Sequence, residues 1–80
     1  ADGTKLTLSF KDSNLPAILK EIKNQTKYDF MYNSKEIDTN KKISMELKNV
    51  TLDSALKVCL TPFGLTYTIK DKIIILKKKT

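Results

Sequence analysis

Residues 6–32 and 43–69 carry one apolar pattern written twice without a gap, at a constant offset of 37. Leu6, Leu8 and Phe10 recur as Ile43, Met45 and Leu47. Lys11, Leu15, Leu19 and Lys20 recur as Lys48, Leu52, Leu56 and Lys57, and Tyr28 and Phe30 fall on Leu65 and Tyr67. Each copy runs from alternating apolar residues to a stripe of helical spacing and back to alternation, the order strand, helix, strand. Neither copy can bury its apolar face alone, so the duplication predicts one compact domain in which the two units cover each other.

In the first unit Leu6, Leu8 and Phe10 point one way and Thr7 and Ser9 the other, as in a half-buried strand. Asp12, Ser13 and Asn14 offer side-chain oxygens for a helix N-cap, and Pro16 is tolerated in a first turn, where its missing N–H would have had no partner. Leu15, Ile18, Leu19 and Ile22 follow the i, i+3, i+4, i+7 spacing of one apolar stripe, with Lys20, Glu21, Lys23 and Asn24 toward water. The helix is expected to end near Gln25 to Lys27, and Tyr28, Phe30 and Tyr32 alternate with Asp29 and Met31 as the returning strand. Asn33 to Lys42 is a polar linker whose one strong apolar residue, Ile37, suggests an anchored helical turn.

The second unit repeats this order. Ile43, Met45 and Leu47 form the strand, Thr51 caps a helix carrying Leu52, Ala55, Leu56, Cys59 and Leu60, and Pro62 and Gly64 stop it. Leu65, Tyr67 and Ile69 make the returning strand. Asp71 and Lys72 then turn the chain into Ile73 to Leu76, an unbroken apolar run that reads as an extra strand covered on both faces or lying beside another chain.

Eighty residues support only one small core. The 15 basic residues are all lysine, and against 9 acidic ones they give a net charge of +6 that favours acidic partners in general. A dedicated nucleic-acid reader leans on arginine for bidentate contacts, so nucleic acid is not expected as a partner. No apolar run approaches the roughly 20 residues that span a bilayer, and no signal peptide is visible. The absence of histidine and the single cysteine, Cys59, exclude an internal disulfide and remove most transition-metal and nucleophile–base chemistry. The acidic residues are scattered singly, without the spacing of a calcium loop. The chain is therefore read as a non-enzyme, with no cofactor, no metal and no catalytic residue. Cys59 lies on the apolar stripe of the second helix and reads as a packed thiol. Tyr28, Phe30, Tyr32 and Tyr67 could form a base-stacking platform, but their repetition with Leu65 and Ile69 points to core packing. Lys77 to Lys79 read as a solvated tail.

By this point the residues resemble a known family. The order L-x-L-x-F-K-x-x-x-L-x-x-I-L-x-x-I-x-x-Q-T at Leu6 to Thr26 is similar to the secretin and TonB N-terminus short domain, or STN domain. So are Tyr28, Phe30 and Tyr32–Asn33, the repeat Asn49 to Leu60, and G-L-T-Y-x-I at Gly64 to Ile69. The likeness runs from about residue 5 to 77 and rests on order and spacing, since the single letters are generic core positions. The stretch Gln25 to Asn33 looks most like the signalling domain at the front of TonB-dependent outer-membrane receptors of the polysaccharide-uptake type. One departure is Lys27, where many relatives carry the glycine that stands here at Gly64; it predicts a slightly different exit from the first helix.

The resemblance implies an α/β (α+β) domain spanning 1–80, built of two βαβ repeats (5–32 and 43–69) with two helices packed between two small sheets and a closing strand at 73–77. It implies a periplasmic protein-interaction module within an outer-membrane protein. Its partners would be the rest of the parent receptor and the periplasmic domain of an inner-membrane anti-sigma regulator, to which it reports substrate occupancy. The alternative is an N-terminal ring domain of a secretin. Candidate partner-binding residues are Ile73, Ile74, Ile75 and Leu76 as an exposed strand edge, because domains without a chemical site commonly recruit partners by strand addition. Met31 with Val58 and Phe63 is a second patch, and Lys20, Lys23 and Lys27 on the solvated helix face can steer an acidic partner.

Overall fold

The computed structural model describes residues 5–38 and 40–79; the ends of the expected domain, 1–4 and Thr80, lie outside the described residues. Along the chain run β1 (Lys5–Ser13), α1 (Leu15–Thr26), β2 (Asp29–Met31), β3 (Ile43–Thr51), α2 (Leu52–Leu60), β4 (Leu65–Lys70) and β5 (Ile73–Lys78). Single 3₁₀ turns occupy Ser34–Glu36 and Thr61–Phe63. β1 pairs antiparallel with β3, while β5 lies between β2, to which it is parallel, and β4, to which it is antiparallel. The two strands of one repeat are thus not paired with each other. Each repeat sends its first strand to one sheet and its last to the other, and the helices fill the space between.

The apolar stripes bury as their spacing dictates. Leu15, Ile18, Leu19 and Ile22 of α1 and Leu52, Ala55, Leu56, Cys59 and Leu60 of α2 meet Leu6, Leu8 and Phe10 of β1 and Leu65, Ile74 and Leu76 of the other sheet in one core. The helix starts are set by short polar side chains. Asn14 Oδ1 accepts from Ala17 N at 3.1 Å, and 37 residues on Thr51 Oγ1 accepts from Ser54 N at 3.2 Å. Tyr67 Oη donates to Asp53 Oδ1 at 3.1 Å and ties β4 to the first turn of α2; burial first, then the Asp53 carboxylate, raises the phenol pKa.

The duplication extends to backbone conformation. Asp12 and Asn49, equivalent in the two copies, both take positive φ, at 48° and 54°, and each lies where the β1–β3 register slips. The freed amides are satisfied symmetrically. Asp12 N donates to Ser44 Oγ at 2.9 Å and Asn49 N to Thr7 Oγ1 at 3.5 Å, and Thr7 and Ser44 are themselves equivalent. Asp and Asn enter the left-handed region more readily than other non-glycine residues, which is why the two bulges sit there. Lys27 and Gly64 are likewise left-handed, at φ 66° and 67°. The helix exits differ, as expected, but not at that residue: α1 closes directly with Lys27 N on Lys23 O at 2.8 Å, whereas α2 first adds the 3₁₀ turn.

Gln25 and Thr26 gain physical meaning here. The Gln25 side-chain amide pairs with both backbone groups of Thr7 on the edge of β1, at 2.9 and 3.3 Å, so it stands in for a strand. The buried Thr26 hydroxyl donates to Ile22 O and accepts from Tyr28 N, closing the helix end.

Three expectations are corrected. The run Ile73 to Leu76 is not a free edge, because β5 is the middle strand of its sheet with β2 and β4 on either side. It is not covered on both faces either: Ile74 and Leu76 are buried, whereas Ile73 is 37% exposed. The returning strand of the first unit is only three residues long, because Asn33 Oδ1 accepts from Lys35 N and starts a 3₁₀ turn that pulls Tyr32 out of line. The linker behaves as read, with a helical turn and Ile37 buried against the core.

Candidate interaction surface

The two sheets present different outer faces. On β1 and β3 the outward residues are Lys5, Thr7, Ser9 and Lys11 beside Ser44, Glu46 and Lys48, a polar face suited to water. On the three-stranded sheet the register sets Met31 beside Ile75 and Asp29 beside Ile73. Met31 is 56% exposed, Ile73 is 37% exposed and Ile75 is half-buried, so an apolar stripe crosses the middle of a face whose margins are Asp29, Thr66, Thr68, Lys70 and Lys77. Two outward isoleucines on a central strand are unusual for a solvated sheet face, where polar residues alternate with the core set.

Of the residues expected to bind a partner, the structure joins Met31 to Ile73 and Ile75 in one exposed stripe and leaves Lys20, Lys23 and Val58 exposed elsewhere on the surface. The side chains of Ile74 and Leu76 belong to the core and cannot be offered to a partner. Val58 is 44% exposed on α2 but is joined by no large exposed apolar neighbour of its own helix, and Phe63 packs against the core. Lys23 Nζ lies 2.8 Å from Asp29 Oδ1, so the basic face of α1 is partly neutralised; Lys20 and Lys23 line a shallow depression with Pro16, Phe30 and Tyr32.

Sequence reasoning missed the groove at the end of β2. About 840 Å³ of open space is bounded by Met31, Tyr32, Asn33, Ile75, Leu76, Lys77 and Lys78. It exists because β2 stops at Met31 while β5 runs on to Lys78. The signal was present in Asn33, a turn-forming residue placed directly after Tyr32.

No group of three or more His, Cys, Asp or Glu side chains comes together among the described residues. Cys59 is buried with its Sγ 3.6 Å from Met45 Sδ, and burial pushes its thiol up to about 11, which leaves it protonated and unreactive at neutral pH. Tyr28 is buried beneath the Lys72 ammonium, which lies 4.5 Å from the ring centroid, and so is not part of an open stacking row.

A family model described as the secretin and TonB N-terminus short domain matches residues 28–79, well over half of the chain. The chain belongs to the STN family. The match begins after α1, yet the caps, bulges and left-handed residues of this STN domain repeat in its first unit, so that unit shares the architecture. Two crystal structures of a candidate anti-sigma factor from Parabacteroides distasonis ATCC 8503, at 1.65 and 2.50 Å resolution, superpose with a TM-score of 0.78 and 16% sequence identity. The superposition covers 95% of this chain and 35% of theirs, so the present chain spans about a third of the length of those proteins and the likeness is one of fold. Among curated protein sequences, none matches the chain.

Proposed function

We propose that this STN domain is the periplasmic signalling module of a TonB-dependent outer-membrane receptor of the polysaccharide-uptake type. It docks on the periplasmic domain of an inner-membrane anti-sigma regulator, reports that the receptor holds substrate, and so controls transcription of uptake genes. The observation that carries this reading is the apolar stripe Met31–Ile75–Ile73 on the outer face of the three-stranded sheet. Such a face is the mark of a protein-interaction surface. STN domains occur in periplasmic regions of envelope proteins, which agrees with that location.

A second reading is favoured by the fold neighbour. A protein named as a candidate anti-sigma factor contains this fold as about a third of its chain, so the present domain could equally serve on the regulator's side of the same contact. A secretin ring domain is the third assignment that the family name admits. Deleting the domain from its parent protein separates the three. In a receptor the deletion abolishes substrate-induced transcription and leaves substrate import intact. In a regulator it alters transcription with no receptor present in the same chain, and in a secretin it impairs assembly or secretion. Normal signalling by a receptor without the domain rejects the proposal.

A further inference from the structure

The middle strand of the three-stranded sheet is left half unpaired on one side. Asp29 N donates to Lys72 O on the β2 side of β5, and Lys79 N donates to Gly64 O on the β4 side. Peptide groups of alternate residues point to alternate edges of a strand, so Leu76 and Lys78 present theirs toward β2. β2 ends opposite Ile75, a parallel pairing that takes up the Leu76 amide on Met31 O, and no described strand runs beside the Leu76 carbonyl or the Lys78 peptide groups on that side. The groove at the end of β2 is therefore a strand-shaped gap, with unpaired peptide groups along one wall.

We propose that this gap receives an extended, acidic segment of the partner protein, which completes the sheet in line with β2. The proposal rests on the signalling role above and names the part of the domain that performs the docking. Three features fix the occupant. Unpaired backbone groups on a sheet edge are a template for another strand, and no described side chain bonds to those that face this gap. Met31 and Ile75 at the near end offer an apolar contact to the outward side chain of that strand. Lys77 and Lys78 line the far end, Lys79 follows, and no acidic side chain lines the groove, so carboxylates on the incoming strand find opposite charge.

The other strand edges fit this occupant less well. The edge of β1 is occupied at Thr7 by the Gln25 amide. The outer edge of β4 is open, but the outward residues beside it are Thr66, Thr68 and Lys70, and its one exposed large apolar residue is Ile69. The gap beside β5 combines open peptide groups, an apolar floor and lysines with no acidic side chain in its lining, whereas the depression beside β2 contains Asp29.

The test uses a hexapeptide of alternating valine and glutamate, capped at both ends, titrated into isotope-labelled domain to about 1 mM, where even a weak complex is visible. The expected result is a shifted and newly exchange-protected amide at Lys78, with the Leu76 amide, already paired to β2, shifting without gaining protection. The response should be lost with a peptide N-methylated on alternate backbone nitrogens and weakened by about tenfold or more in a Lys77→Glu, Lys78→Glu variant whose melting temperature is unchanged. Equal binding by the N-methylated peptide, shifts centred on Leu65, Tyr67 and Ile69, or no response overturns the proposal. The signalling role is tested separately. If deletion of the domain silences signalling while the gap ignores the peptide, the gap is wrong and the role stands; if signalling survives the deletion, the role itself is wrong.

Discussion

The two repeats share their backbone and differ in what they bury. Caps at Asn14 and Thr51, bulges at Asp12 and Asn49, and left-handed exits at Lys27 and Gly64 recur at the same offset. Burial recurs along the helices, where Leu15, Ile18, Leu19 and Ile22 match Leu52, Ala55, Leu56 and Cys59, but not along the first strands. Leu6, Leu8 and Phe10 of β1 are in the core, whereas their counterparts Ile43, Met45 and Leu47 of β3 are partly exposed. The closing strands diverge further, with three residues in β2 against six in β4. The local devices are dictated by neighbouring residues and so are copied with the sequence. Burial depends on what else packs nearby, and the unrepeated strand β5 occupies only one place in the fold, which breaks the symmetry.

If this asymmetry is energetic, equivalent truncations must have unequal effects. Leu8 and Met45 occupy the same place in the two copies. Leu8→Ala removes a fully buried side chain and is expected to cost about 2–5 kcal/mol. In a domain of this size that is enough to unfold much of the population. Met45→Ala, at a half-exposed position, should cost well under half as much. Urea midpoints of the two variants settle the matter, and equal shifts would show that the copies contribute alike despite their exposure.

A second pair inverts the sign. Gly64 and Lys27 share a left-handed backbone, and a Cβ built on Gly64 meets no atom within 4 Å, so only backbone strain opposes a side chain there. Gly64→Ala should therefore destabilise by about 1 kcal/mol. Lys27→Gly relieves the same strain, offset by the greater freedom of glycine in the unfolded chain, and should stabilise by up to about 1 kcal/mol. Thermal melts of both variants check the pair; a loss of stability in Lys27→Gly would mean that the lysine makes contacts worth more than the strain.

These positions also mark how far the sequence could be read. The apolar stripes, the Asn14 and Thr51 caps and the stop at Pro62–Gly64 were legible because each depends on residues within a turn or two. The departure at Lys27 was visible, but not that it keeps the conformation of the glycine it replaces. The place of β5 was illegible for a different reason. An apolar run announces burial without naming its neighbours, and Ile73 to Leu76 look alike whether the strand lies at an edge or in the middle of a sheet. The groove followed from a length, since Tyr32 satisfies the alternation of a strand that Asn33 ends one residue earlier. The bulges at Asp12 and Asn49 left only the faint trace of two left-handed-tolerant residues at equivalent positions.

The smallest expected effect concerns a site where the copies use different chemistry. Lys23 and Asp29 form an ion pair on the surface of the first unit, and at the same offset the second unit has Leu60, buried in the core, and Thr66. A solvated pair between two flexible side chains contributes little, so Lys23→Ala should cost less than about 1 kcal/mol. Salt supplies the sharper reading. At roughly 1 M the Debye length falls to about 3 Å, and the difference between Lys23→Ala and the parent domain should largely disappear. A cost that persists at high salt would assign the contribution to the lysine stem packing over α1 and the edge of β2, which would make Lys23 the apolar counterpart of Leu60 after all. Loss of the effect would instead confirm that the first repeat closes its helix-to-strand exit with charge where the second closes it with burial.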